Sequence, residues 1–131
     1  MNKIIKVLIG ILIVAIVLIL GLMISQFDYN RARPARVAGD MAQIKKIATT
    51  FFNEHGSYIG FETEKEFLII KDDIAETGKG TNFTLNMNPN GKEYCAEVLM
   101  NNGKWYCIDS KSIEKVYTSN PACSGNHYTC D

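Results

Sequence analysis

Hydrophobic and polar positions change their spacing twice along this chain. From Val7 to Phe27 (VLIGILIVAIVLILGLMISQF) twenty-one residues carry no charge. At about 1.5 Å per residue they span roughly 32 Å as a helix, enough to cross a bilayer's hydrocarbon core. Further on, Val37, Met41, Ile44, Ala48 and Phe51 recur at steps of four and three, widened by Ile47 and Phe52. Asp40, Gln43, Lys46, Thr50 and Asn53 take the other side. This spacing predicts an amphipathic helix over 31–55, with Gly56 as its stop. No linker or turn dipeptide separates the two patterns, so one helix is expected to pass from an apolar half into an amphipathic half. Pro34 removes one backbone hydrogen bond and should bend it.

The alternation then shortens to two. Phe83-Thr84-Leu85-Asn86-Met87 reads as a half-buried strand closed by Asn88-Pro89-Asn90-Gly91. Tyr94–Met100 and Lys104–Asp109 flank Asn101-Asn102-Gly103, a hairpin signal. Three strands packed on the Val37–Phe51 stripe would form one modest core. Phe67-Leu68-Ile69-Ile70 suits either an added strand or part of a short helix, and Asp72–Glu76 leans helical. The expected class is α+β: a long N-terminal helix on a small antiparallel sheet within 81–131. The domains are an anchor over 1–27 and one globular domain over 28–131.

Charge and cysteine usage place that domain. Beyond Lys3 and Lys6 the chain holds twelve basic and fourteen acidic residues, which argues against a general nucleic-acid or anionic-lipid surface. The apolar core Val7–Ile24 exceeds a secretory h-region and no A-x-A motif follows it, so a retained membrane anchor is expected. Lys3 and Lys6 favour a cytoplasmic N-terminus, whereas Arg31, Arg33 and Arg36 crowd the other flank. All four cysteines (Cys95, Cys107, Cys123, Cys130) fall in the last 37 residues. An even number in a small domain points to disulfides in an oxidising compartment, hence an extracytoplasmic domain. Zinc is the rival, but C-x11-C and C-x6-C lack the short spacing of a zinc knuckle. Folding the hairpin about its turn brings Cys95 close to Cys107, which predicts a cross-strand bridge.

Several runs together resemble a known family. They are Gln26-Phe27-Asp28-Tyr29-Asn30-Arg31-Ala32-Arg33, Ala35-Arg36, Asp40-Met41, Gln43-Ile44 and Phe51-Phe52-Asn53-Glu54-His55-Gly56-Ser57-Tyr58. Glu93-Tyr94-Cys95-Ala96, Trp105-Tyr106-Cys107-Ile108-Asp109-Ser110 and the closing Cys123…Cys130-Asp131 follow at the other end. Their order resembles type IV pilins and pseudopilins, and covers both ends of the chain but not Phe61–Asn90. Under that resemblance Cys123 would pair with Cys130 in a closing loop. Family members also carry a Gly-Phe processing junction and a glutamate five residues into the mature chain; the matching positions here are Lys3-Ile4 and Leu8.

The resemblance implies a structural, non-enzymatic subunit of a type IV pilus or type II secretion-like filament, serving secretion or adhesion. It would wait in the inner or cytoplasmic membrane with its domain outside, and then enter an extracellular pilus. Its partners would be the membrane and other pilin-like subunits, with no cofactor, metal, small-molecule substrate or nucleic acid. The assembly helix would present Val7, Leu8, Ile11, Val14, Leu18 and Leu22, while Val37, Met41, Ile44, Ala48 and Phe51 pack on the sheet. The alternative is a monomeric, membrane-tethered extracytoplasmic binding domain. Catalytic signals are weak: His55 and His127 lack partner motifs, and Gly78-Lys79-Gly80-Thr81 lacks a phosphate-loop frame and reads as a turn. The acids Glu62, Glu64, Glu66, Asp72 and Asp73 match no EF-hand spacing and read as a solvated face. Asn82-Phe83-Thr84 is a chance-level sequon.

Overall fold

The computed structural model describes residues 2–78, 82–121 and 123–131, with backbone only at 25–32. The turn expected at Gly78–Thr81 lies outside the described residues beyond Gly78, as do the side chains of the Gln26–Ala32 run. The architecture is α+β, with elements in the order α1 (Lys3–His55), a 3-10 turn (Phe61–Thr63), α2 (Lys65–Gly78), β1 (Phe83–Met87), β2 (Tyr94–Leu99), β3 (Trp105–Asp109) and β4 (Glu114–Tyr117). Two units divide it, Met1–Ala32 and Arg33–Asp131.

The first unit is helical and apolar. Within it Lys3–Ile24 has a mean hydropathy of 3.4 and none of its stretch is buried. Its 22 residues are long and apolar enough to cross a membrane.

The second unit is built where α1 meets a sheet. Val37, Met41, Ile44 and Ala48 are all at most 1% exposed. They share one cluster with Tyr94, Ala96 and Val98 of β2 and Tyr106 and Ile108 of β3. Alternation along each strand sends these five to the helix side. Phe51 is only partly buried, because its ring lies at the edge of the stripe and stacks on His55 at 4.1 Å. Gly56 ends α1 at φ +69° while its N–H donates to Phe52 O at 2.7 Å.

The sheet runs β1-β2-β3-β4, every pair antiparallel. Two turns set its register. Met100 N–H donates to Lys104 O at 2.8 Å across Asn101–Gly103, with Gly103 at φ +77°. Before β2, Gly91 sits at φ +70° so close to the α1 exit that a Cβ there would overlap the Ser57 hydroxyl. Tyr58 N–H donates to Gly91 O at 2.8 Å in the same place.

Two elements differ from expectation. The segment left open between strand and helix belongs to the 14-residue α2. Its buried side chains, Phe67 and Ile74 with Ile70 partly buried, follow a helical spacing of three and four that outweighs the β-rich look of Phe67–Ile70. The fourth strand, β4, lies beyond the three expected. Its Glu-Lys-Val-Tyr is mostly exposed, as suits an edge strand protected by charge.

Because Ile44 is fully buried at the centre of the helix–sheet contact, Ile44→Ala should lower stability by about 2–5 kcal/mol. Denaturant unfolding of the full chain in detergent, followed by Trp105 fluorescence, measures this.

Candidate functional site

Three features of the structure carry chemistry or assembly potential: the bare apolar helix, the far face of the sheet and a charged cluster between α1 and α2. Along the helix, Val7, Leu8, Ile11, Val14, Leu18 and Leu22 are 59–69% exposed. No polar group interrupts the surface between Val7 and Ile24. Such a surface is stable only in lipid or against another apolar surface.

The far face holds the cysteines. Register places Cys95 opposite Asp109 and Glu97 opposite Cys107. All four side chains therefore leave the sheet on the side away from α1. Cys95 and Cys107 are diagonal neighbours, with sulfurs 3.6 Å apart. The segment after β4 crosses above them and supplies the partners. Cys95 pairs with Cys123 and Cys107 with Cys130, at Cα separations of 5.5 and 5.9 Å. This corrects the expected Cys95–Cys107 and Cys123–Cys130 bridges. A hairpin turn brings two strands together, but a two-residue stagger leaves each cysteine facing a carboxylate, and each sulfur turns outward to the tail.

Glu97 and Asp109 are the residues that sequence reasoning missed. They are 2% and 1% exposed. Cys123 N–H donates to Glu97 Oε2 at 3.0 Å, and Cys130 N–H donates to Asp109 Oδ2 at 2.8 Å. The other oxygen of Asp109 accepts the N–H groups of Lys111 and Ile113, each at 2.9 Å, and so shapes the β3–β4 turn. On β1, Asn86 Nδ2 donates to Gly125 O and His127 O at 3.1 and 2.8 Å. Each bridging cysteine is thus held twice, by its sulfur and by its backbone. Burying a carboxylate is costly unless its oxygens are hydrogen-bonded; both oxygens of Asp109 accept such bonds, as does Oε2 of Glu97. The available signal was the alternation Cys95-x-Glu97, which put a charge on the cysteine face of a strand.

All four sulfurs are committed to bridges, so the cluster of Cys95, Cys107 and Cys123 offers no thiolate to a metal in this state. His55 Nδ1 contacts Phe51 O at 3.0 Å, and at His127 it is the backbone carbonyl that accepts the Asn86 bond.

A third cluster joins α1 to α2. Arg36 makes two bonds to Asp73, at 3.2 and 2.5 Å. Beside it Asp40 is 7% exposed, and its Oδ2 has no hydrogen-bond partner among the described residues. Burial first, and Asp73 second, push the Asp40 carboxyl up to about 6, against the lesser pull of Arg36.

Comparison with known proteins returns no matching family, no matching curated protein and no matching solved structure.

Two outcomes follow. Non-reducing peptide mapping should recover Cys95 linked to Cys123 and Cys107 linked to Cys130. Loops of 28 and 23 residues should each stabilise the domain by about 3.5 kcal/mol in the chain-entropy model, read as the loss on Cys107→Ser with Cys130→Ser. The second concerns pH. The folded state holds the Asp40 proton up to about 6, whereas the unfolded chain releases it near 3.8. Between those values the folded state binds more protons, so this group makes stability fall as pH rises. Asp40→Asn should abolish that slope and raise the unfolding midpoint at pH 7.

Proposed function

We propose that this protein is a pilin-like structural subunit, held in a membrane by its N-terminal helix and assembled through that helix into a filament. The observation that carries this reading is the unburied apolar stretch Lys3–Ile24, on the same helix α1 whose later turns form the core of a small sheet domain. Such a helix needs lipid or copies of itself around it. The ordered resemblance of the Gln26–Tyr58 and Glu93–Asp131 runs to type IV pilins supports the filament over other single-span proteins. Two bridges support an oxidising compartment for the domain, hence a cytoplasmic N-terminus. The work of such a subunit is mechanical: apolar half-helices bundle inside, and stapled domains cover the outside.

One observation favours the tethered-monomer alternative. Position 8 is leucine where pilins carry the glutamate that neutralises a neighbouring N-terminal amine, and Lys3-Ile4 stands where they have Gly-Phe. An unpaired amine inside an apolar bundle would be costly.

Membrane fractions and sheared filaments, probed with antibody to the domain, separate the two readings. The subunit reading expects the protein in sheared filaments. It expects Val14→Asp to abolish incorporation, at about 2.5–3.5 kcal/mol on insertion scales. It also expects Leu8→Glu to leave incorporation unchanged or improved. Protein confined to membranes as a monomer, with either residue at position 8, would replace it with the tethered domain.

A further inference from the structure

The far face of the sheet gathers all four sulfurs into one buried cluster. Cys95, Cys107, Cys123 and Cys130 are each 0% exposed. From one bridge to the other, the Cys107 sulfur lies 3.6 Å from that of Cys95 and 3.5 Å from that of Cys123. These three sulfurs all lie within 4.8 Å of one another, and the fourth, of Cys130, is bonded to Cys107. A zinc ion holds thiolates at about 2.3 Å in a tetrahedron, which sets the sulfurs roughly 3.8 Å apart. The contacts between the bridges are already close to that spacing.

The cysteine backbones are not placed by the bridges alone. The β2–β3 ladder fixes Cys95 and Cys107, while Glu97 and Asp109 hold the N–H groups of Cys123 and Cys130. Asn86 holds the tail between those two at Gly125 and His127. Cutting both S–S bonds would therefore leave four thiols gathered beneath one tail.

We infer that the reduced domain binds one zinc ion through Cys95, Cys107, Cys123 and Cys130, so that the metal replaces the two disulfides as its staple. Each bridge takes two electrons and two protons from a dithiol reductant, which itself closes to a disulfide. The ion then displaces the four thiol protons. Each formerly bonded pair widens to the tetrahedral spacing by rotation about the Cα–Cβ bonds. Four soft thiolates in a covered site suit a closed, structural zinc rather than a catalytic one, which would keep a position for water. Lys115 stands opposite Cys107 in the register and leaves β4 on the same face. Its charge partly offsets the net negative charge of a four-thiolate zinc. The cysteine spacing conceals such a site, because its ligands come from two strands and a tail rather than from two short knuckles. Nothing in it depends on assembly into a filament.

The test uses the full chain in detergent, reduced by a phosphine without oxygen and titrated with cobalt(II), then with zinc. The inference expects one cobalt per chain, with thiolate-to-cobalt charge transfer and the intense visible bands of a tetrahedral site. One equivalent of zinc should abolish both. Zinc should also raise the unfolding midpoint of the reduced chain, followed by Trp105 fluorescence, and leave that of the disulfide form unchanged. Cys95→Ser, Cys107→Ser, Cys123→Ser and Cys130→Ser should each weaken cobalt binding by at least about tenfold. His127→Ala, in the same tail, should leave the spectrum as it is. The unsubstituted chain carries the first two readouts, so a variant that fails to fold does not leave the question open. Octahedral cobalt without charge transfer, a spectrum that survives Cys130→Ser or is lost with His127→Ala, or zinc binding without a gain in midpoint would each overturn the inference.

Discussion

Everything in the folded domain depends on burying one stripe of α1 against one face of the sheet. Val37, Met41, Ile44 and Ala48 reach almost complete burial over twelve residues of helix, and five side chains from β2 and β3 meet them. A small domain has few such contacts to lose, so this seam sets both stability and strand register. Slipping β2 by one residue would send Cys95 and Glu97 into the helix contact and Ala96 and Val98 out of it. The helix also brings Arg36 to Asp73, and Lys45 to the β4 edge.

Committing one face to the helix leaves the second face to be covered by other means. Among the described residues no further helix serves this purpose, and the segment 123–131 covers the face instead. That segment has no regular hydrogen-bonding pattern of its own. Its backbone groups are therefore satisfied by side chains of the sheet: Asn86 from β1, Glu97 from β2 and Asp109 from β3. The disulfides hold the tail where those bonds can form. Charge, cysteine and backbone act together, since each carboxylate receives the N–H of a bridged cysteine.

What remains outside the core is the continuous apolar area of the N-terminal helix. In a membrane-anchored monomer lipid would cover it, and in a filament further copies would. The Asp40 carboxyl makes the folded domain sensitive to rising pH, because its proton is held more tightly in the folded domain than in the unfolded chain.

Much of this was legible along the chain. An uncharged run from Val7 to Phe27 can only be a membrane-length helix or a deeply buried one, since backbone geometry fixes its length. The four-three spacing of Val37–Ala48, the Asn-Gly hairpin turn and the alternation of Phe83–Met87 are local patterns set by neighbours a few residues apart. Helix α2 was half legible, because Phe67–Ile70 has the composition of a strand and only its tie to Ile74 shows a helical face. The disulfide partners were not legible. They depend on a two-residue stagger between β2 and β3 and on the path of a tail without periodicity, and neither leaves a local mark. Nor did β4 declare itself, as one exposed edge strand needs little apolar alternation. Burial of Glu97 and Asp109 was decided by tertiary structure alone, for a carboxylate's environment is made by whichever backbone N–H groups the fold brings to it.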